Sequence, residues 1–471
     1  MVLVLTMVVL QSISFANYAL TTKTTNIIYG SAPYLTFDGG RTRITNTEAL
    51  LGITLSDGRR FTPTTNNSSS TNPIVLPVAG QSFNDIGMLV PTDTDSIALS
   101  SLIGTPYNYW GDDDGDGQGT NDISATGSLN LSIVDKNNQA VARNKVLTIC
   151  DDKAPYKLTL SNTNGTLKTR YGVPNESRFT AGNATYYIKP NASPVICFAR
   201  PYLGYLSNRG FSAAVWDNRR GFLTQPVTPS SYGSNFPTTG ANNLSFDLLI
   251  GGVSRQALSW APVSHGGITA TMTGSPLTDN NYSSVRVTLT GPVATEPQWR
   301  SDNPDRIDRP SLPQVFELVA RDSRGNAVIK YGFELKQWFV NRGTAYYTYS
   351  SLESWCNKIG GYRLPNVRDL TNASCRGNSE NPEDSCNGLV EATPTSPDGT
   401  YRRYIGAGFF PEWGDMSQYS GANFVYMSYW TQDRVEGNNK IFSVSSYLGD
   451  MKLRYSAINS IDKTTGLCVY P

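Results

Sequence analysis

The sequence predicts a mainly β chain, with antiparallel β-sandwich domains followed by an α+β domain. Three observations point there. Charged residues make up only 16% of the chain while Gly, Ser, Thr, Asn and Tyr are abundant, a mixture that suits short strands and polar turns. Short β-like runs recur between turn clusters over residues 25–310. Helical spacing of apolar residues first appears beyond residue 313.

At 471 residues the chain exceeds one core of ordinary size, so several domains are expected. The N-terminus, "MVLVLTMVVLQSISFANYAL", carries an apolar run of about ten residues, too short to span a bilayer. Small residues follow it, and residues 1–19 read as a secretory signal without a basic leading segment. No other stretch could cross a membrane as a helix. The net charge of +1 excludes a general electrostatic grip on nucleic acid or an anionic membrane.

Residues 20–149 and 150–312 read as two β domains. Runs such as "GITL", "SLNLSIV", "YKLTL", "ATYYIK", "NLSFDLLI" and "SVRVTLTG" are separated by turn residues. Two stretches share a pattern. "LSIVDKNNQAVARNKVL" and "FELVARDSRGNAVIKYGFEL" each run strand, Asp-led polar turn, strand, with Asp135 and Asp322 in the same place. These hairpins resemble those of bacterial immunoglobulin-like domains. The Pro- and charge-rich "TEPQWRSDNPDRIDRPSLP" (295–313) reads as a domain boundary.

Residues 313–471 form the α+β domain. In "YSSLESWCNKIGG", Leu352, Trp355, Cys356 and Ile359 recur at i, i+3, i+4, i+7. Ser350 and Glu353 read as a capping box, and Gly360-Gly361 as a stop. Asn366 would cap a second short helix with Val367 and Leu370 inward. Short strands follow in "FVYMSYWTQ", "IFSVSSY" and "GLCVYP".

Six cysteines behind an export signal favour disulfides. Cys375 and Cys386 bracket a short polar loop. Cys150 and Cys197 end strand-like runs that could face each other, which leaves Cys356 and Cys468. Spacing alone does not choose among the fifteen pairings that six cysteines allow.

The order helix, Cys, "GYRLP", second helix, loop-rich middle, "YWTQ" and a last strand carrying "CV" resembles the C-type-lectin-like fold. More narrowly, "YGFELKQWFVNRG…WCNKIGGYRLPNVRDLTNA" resembles the C-terminal adhesion domain of enterobacterial surface adhesins of the intimin and invasin group. The resemblance implies a Cys356–Cys468 disulfide from the first helix to the last strand. It also implies an exported adhesin at the surface of a Gram-negative bacterium or outside it, binding a host-cell protein or glycan receptor. This chain carries neither the outer-membrane barrel nor the repeat stalk of large members, so an outer-membrane or secretion partner would hold it at the surface. The alternative is a secreted glycan-binding or glycan-cleaving module.

Two stretches are candidate sites. In "YWGDDDGDGQGTND", Asp112, Asp114 and Asp116 alternate, Gly117 allows a sharp bend, and Gln118 and Asp122 add oxygens. A D-x-D-x-D-G turn can wrap a hard cation, so a structural Ca²⁺ ion is expected. The bidentate Glu of such loops is missing, Ile123 standing there, and the plain alternative is a solvated acidic loop. In 394–436, Tyr401, Tyr404, Phe409, Phe410, Trp413, Tyr419 and Tyr426 crowd the chain beside Arg402 and Arg403. Aromatics on loops anchor interfaces, so Arg402, Arg403, Tyr404, Phe410, Trp413 and Tyr419 are the expected ligand contacts. Trp413, between Pro411 and Gly414, is expected in an exposed turn.

Catalysis is not expected. The only histidine, His265, sits in "PVSHGGIT" with no nucleophile elbow around it. No phosphate-cradling loop or zinc-ligand cluster is present. Paired carboxylates for glycan cleavage need no motif.

Overall fold

The computed structural model describes residues 29–115, 123–191, 193–204, 208–225, 228–253, 255–277, 282–376, 386, 389–435, 440–455 and 463–471. The expected signal segment, 1–19, lies outside them. The chain forms two compact units, Met1–Asn191 and Ala192–Pro471. It is mainly β, with several antiparallel sheets.

The first unit is a sandwich. Strands Ser128–Val134, Tyr156–Asn162 and Gly182–Lys189 form the centre of one sheet, all antiparallel. Ile123–Thr126, Gly165–Thr169 and Glu176–Phe179 form the other. Burial alternates along each central strand, as one buried face requires: Leu158 and Leu160 point inward, as do Leu129 and Leu131. Ala125, Leu167 and Phe179 of the second sheet join the same core. The expected boundary at 149/150 is therefore corrected. Tyr156–Asn162 hydrogen-bonds to Ser128–Val134, so a cut there would divide one sheet.

The second unit joins what the sequence divided at 312/313. A seven-stranded sheet is centred on Leu244–Gly251 and Ser283–Thr290. The hairpin Gln314–Arg321 with Ala327–Leu335 lies in the same core as that sheet, and so does helix Tyr349–Lys358. One three-stranded sheet spans the expected boundary directly: Thr239–Ala241 runs parallel to Gln337–Asn341, which pairs antiparallel with Leu467–Tyr470.

The segment 295–313 is a strap, not a linker. Trp355 donates to the Gln298 carbonyl at 2.9 Å, Tyr362 to Asp308 at 2.7 Å, and Ile307 N–H to Ile359 at 2.8 Å. Arg342, with only 2% of its side chain exposed, bonds the Asp302 carboxylate at 3.0 Å and the Trp299 carbonyl at 3.3 Å. These bonds need partners far away in sequence, which explains why composition alone read a boundary.

Local signals are retained with one shift. The first helix is capped by Thr348, whose hydroxyl accepts from Ser351 N–H, and not by Ser350. Asn366 and Asp369 form a capping box on the second helix. Asp322 Oδ1 accepts from Arg324 and Asn326 N–H at 2.9 Å, and Asp135 Oδ1 from Asn137 at 2.8 Å and Gln139 at 2.9 Å. The two Asp-led turns thus share one hydrogen-bonding scheme. Cys356 bonds to Cys468 and Cys375 to Cys386. Cys150 and Cys197 are also disulfide-bonded, and no cysteine among the described residues is free. No helix among them is long and apolar enough to cross a membrane.

Candidate functional site

Most of the expected contact aromatics are core. Phe409–Trp413 is a short helix, and Phe410 and Trp413 are fully buried. Trp413 packs edge-on against Phe236 at 4.8 Å and donates its indole N–H to the Thr239 carbonyl at 3.0 Å. Tyr419 is buried and donates to the Trp413 carbonyl at 2.7 Å. Gly414, at φ 81°, ends the helix, and a Cβ there would lie 2.5 Å from the Arg403 guanidinium. The tight Pro-x-x-Gly stretch read as an exposed turn therefore packs inward.

Arg403 is buried as well. Its guanidinium lies 4.6 Å from the Trp216 ring and donates to the carbonyls of Glu412, at 2.9 Å, and of Tyr202. Burial lowers its pKa. Glu412 beside it is fully buried, and its carboxylate accepts only. Donors are the N–H groups of Thr239 at 2.9 Å and Gly406 at 2.8 Å, and the hydroxyls of Thr238 at 2.7 Å and Thr239 at 2.5 Å. Burial pushes the Glu412 carboxyl up, and these donors pull against it. Arg403, Phe410, Trp413 and Tyr419 are thus corrected from ligand contacts to core, because the loop folds back onto the sandwich sheets of its own unit.

The outer face of the same segment is different. Residues 401–404 run extended between two neighbours: Tyr401 N–H bonds Leu448 at 2.9 Å, Arg403 N–H bonds Arg209 at 2.8 Å, and Phe211 N–H bonds Arg403 at 3.2 Å. Side chains alternate along such a segment. Tyr401 and Arg403 turn inward, while Arg402 and Tyr404 remain half-buried on the outer side. Phe211, 40% exposed, meets Tyr404 edge-on at 5.7 Å. On the opposite flank Tyr426, 59% exposed, packs against Tyr447 at 4.5 Å.

Asp398 is bonded to Arg402 of the same segment. Arg402 Nη2 bonds its Oδ2 at 2.9 Å, and Arg209 Nη1 bonds its Oδ1 at 3.4 Å. The Arg209 guanidinium also donates to the Thr400 hydroxyl. Burial opposes ionisation of Asp398, but the Thr400 hydroxyl and N–H and the Arg402 guanidinium outweigh it and lower its pKa to about 2. Arg376, exposed, reaches the Pro397 carbonyl, and Ser374 N–H bonds the Asp398 carbonyl. The structure therefore brings Arg402 and Tyr404 together with Arg209, Phe211, Asp398 and Tyr447, none of which was anticipated as a ligand contact. No local pattern around 209–211 marks that segment, since its place depends on pairing with residues 401–404.

The acidic loop lies in the first unit. Asp113 accepts from Tyr34 OH at 3.2 Å and pairs with Arg43, and Asp114 accepts from Ser31 N–H at 2.8 Å. Asp116, Gln118 and Asp122 lie outside the described residues. Among the described residues no group of three His, Cys, Asp or Glu side chains is placed to hold a metal ion. His265 is exposed on a strand edge, its ring 5.8 Å from Phe316.

No family model matches the chain. Over 137 residues it is 27% identical to the inverse autotransporter adhesin YeeJ of Escherichia coli strain K12. Over that stretch the chain is homologous to a bacterial adhesin. The match covers 29% of this chain and 5% of the relative's length. Among solved structures, invasin, described as a bacterial integrin-binding protein, aligns at a TM-score of 0.33 with 12% identity, over 75% of this chain and 52% of that one. A C-terminal fragment of intimin in complex with the intimin-binding domain of the translocated intimin receptor aligns at 0.31 with 12% identity, over 77% and 92%.

Proposed function

We propose that this chain is an exported adhesin of a Gram-negative bacterium and that its second unit, residues 192–471, binds a receptor without catalysis. The observation that carries this reading is the outer face at Arg402 and Tyr404. Exposed aromatics flank a fixed Arg–Asp–Arg cluster there, on a segment anchored from behind by a buried arginine and a buried tryptophan. Rigid aromatic and arginine side chains over a packed scaffold are the composition of an interface core. Homology to an adhesin supports the same reading. The disulfide from the first helix to the last strand supports a lectin-like description of the unit.

The test is binding of the full chain to cultured host epithelial cells, compared with Phe211→Ala and Tyr404→Ala. The expected result is binding by the parent chain and loss of about tenfold or more in each variant with an unchanged melting temperature. Absence of binding by the parent chain overturns the reading. Binding of a glycan array, with hydrolysis of the bound glycan, would favour the glycan-cleaving alternative. A structural calcium ion at the acidic loop is a separate proposal supported by the Asp spacing alone, and isothermal titration at millimolar calcium tests it.

A further inference from the structure

We propose that the Arg209–Asp398–Arg402 cluster is a receptor site for a carboxylate on an acidic peptide segment of the partner protein. This deepens the receptor-binding reading above and rests on it.

The argument begins with the guanidinium groups. Arg402 uses Nη2 on Asp398, and Arg209 uses Nη1 on Asp398 and Thr400. Among the described residues, Arg402 Nη1 and Arg209 Nη2 have no partner. Both side chains are partly covered, with 28% of the Arg402 side chain and 35% of the Arg209 side chain exposed. Both forks are therefore held in place by one shared anion while a donor edge stays unused. A second carboxylate can bridge those donors without reordering either side chain, which removes much of the entropic cost of binding.

Charge points the same way. Arg376 adds a third cation beside Asp398 through its contact with Pro397. Among the described residues, Glu391 is turned back onto the Cys375 N–H at 2.9 Å. Among the described residues the cluster's three arginines outnumber its one carboxylate, Asp398, a balance that an anionic ligand complements.

The flanking rings offer apolar contacts that a peptide side chain next to the carboxylate can fill. Beside residues 401–404 stand the Phe211–Tyr404 pair and, next to Leu448, the Tyr426–Tyr447 pair. An extended peptide places same-face side chains about 7 Å apart. An acidic residue two positions from an apolar one lies on the same face as it, so its carboxylate meets the arginines while the apolar side chain meets the Phe211–Tyr404 pair.

The experiment pans the full chain against a random dodecapeptide phage library. The enriched peptides are then synthesised in acid form and with Asp and Glu replaced by Asn and Gln. The expected result is enrichment of Asp or Glu two positions from an apolar residue, binding that weakens with salt, and a loss of about tenfold or more in the amide peptides. Arg209→Gln and Arg402→Gln should each lose binding to a similar degree. If either variant fails to fold, the amide peptides still decide the matter on the unaltered chain. Neutral or basic enriched peptides, no enrichment, or displacement of bound peptide by sialyllactose but not by acidic peptide overturns the proposal. Host-cell binding that persists in the arginine variants overturns this inference and leaves the receptor-binding reading standing. Absence of cell binding by the parent chain removes both.

Discussion

Trp413 donates its indole N–H to the carbonyl of Thr239 at 3.0 Å, across a sequence separation of 174 residues. The bond ties a loop that reads as surface to a strand that reads as another domain. Trp413→Ala should therefore lower stability by about 3–5 kcal/mol, the cost of deleting a large buried ring. Chemical denaturation measures it. A variant that keeps its full stability and loses only receptor binding would return Trp413 to the contact face.

Glu412 faces donors only, so its amide analogue is a sharp probe. Glu412→Gln places an NH₂ group against the N–H of Thr238, Thr239 or Gly406. The expected loss is about 2–4 kcal/mol, because at least one buried donor is left unsatisfied. Urea titration reads it, and an unchanged midpoint would mean that the carboxyl is already protonated in the folded state.

Arg342 fastens the strap 295–313. Arg342→Met keeps most of its bulk but abandons the carbonyls of Trp299 and Ser301 and the Asp302 carboxylate. The expected result is faster tryptic cleavage between residues 300 and 309 at a temperature where the parent resists. Equal cleavage rates would mean that the hydrogen bonds from Trp355 and Tyr362 suffice to hold the strap.

Acid should release the Arg209–Asp398–Arg402 cluster. The folded pKa of Asp398 lies near 2, below its ordinary value of 3.8. Its stabilisation is therefore complete above about pH 4 and is lost as pH falls toward 2. The difference in melting temperature between the parent chain and Asp398→Asn should be constant from neutral pH to about 4 and shrink below it. A difference that persists unchanged at pH 2 would contradict the depressed value.

The two disulfides of the second unit should differ in weight. Cys356 and Cys468 are 112 residues apart, and Cys375 and Cys386 only 11. In the chain-entropy model, closing the long loop is worth about 4–5 kcal/mol and the short one about 3 or less. Paired serine substitutions compared by denaturant unfolding should rank in that order.

Sequence by itself determined the mainly β class, the two Asp-led turns, the helix carrying Leu352, Trp355 and Cys356, and the Asn366 cap. Each depends on residues close together in the chain, where periodicity and side-chain-to-backbone bonds act locally. Only the tertiary structure decided where the units divide and which aromatics are exposed. Thr239–Ala241 pairs with Gln337–Asn341, and no local pattern announces a partner about a hundred residues away. Arg402 and Arg403 are adjacent and chemically alike, yet one turns outward to Asp398 and the other is sealed over Trp216. The alternation of an extended segment puts them on opposite faces. Which face became the core was settled by Trp216, Phe236 and Thr239 packing behind Arg403 and Trp413, residues that composition had assigned to a different domain.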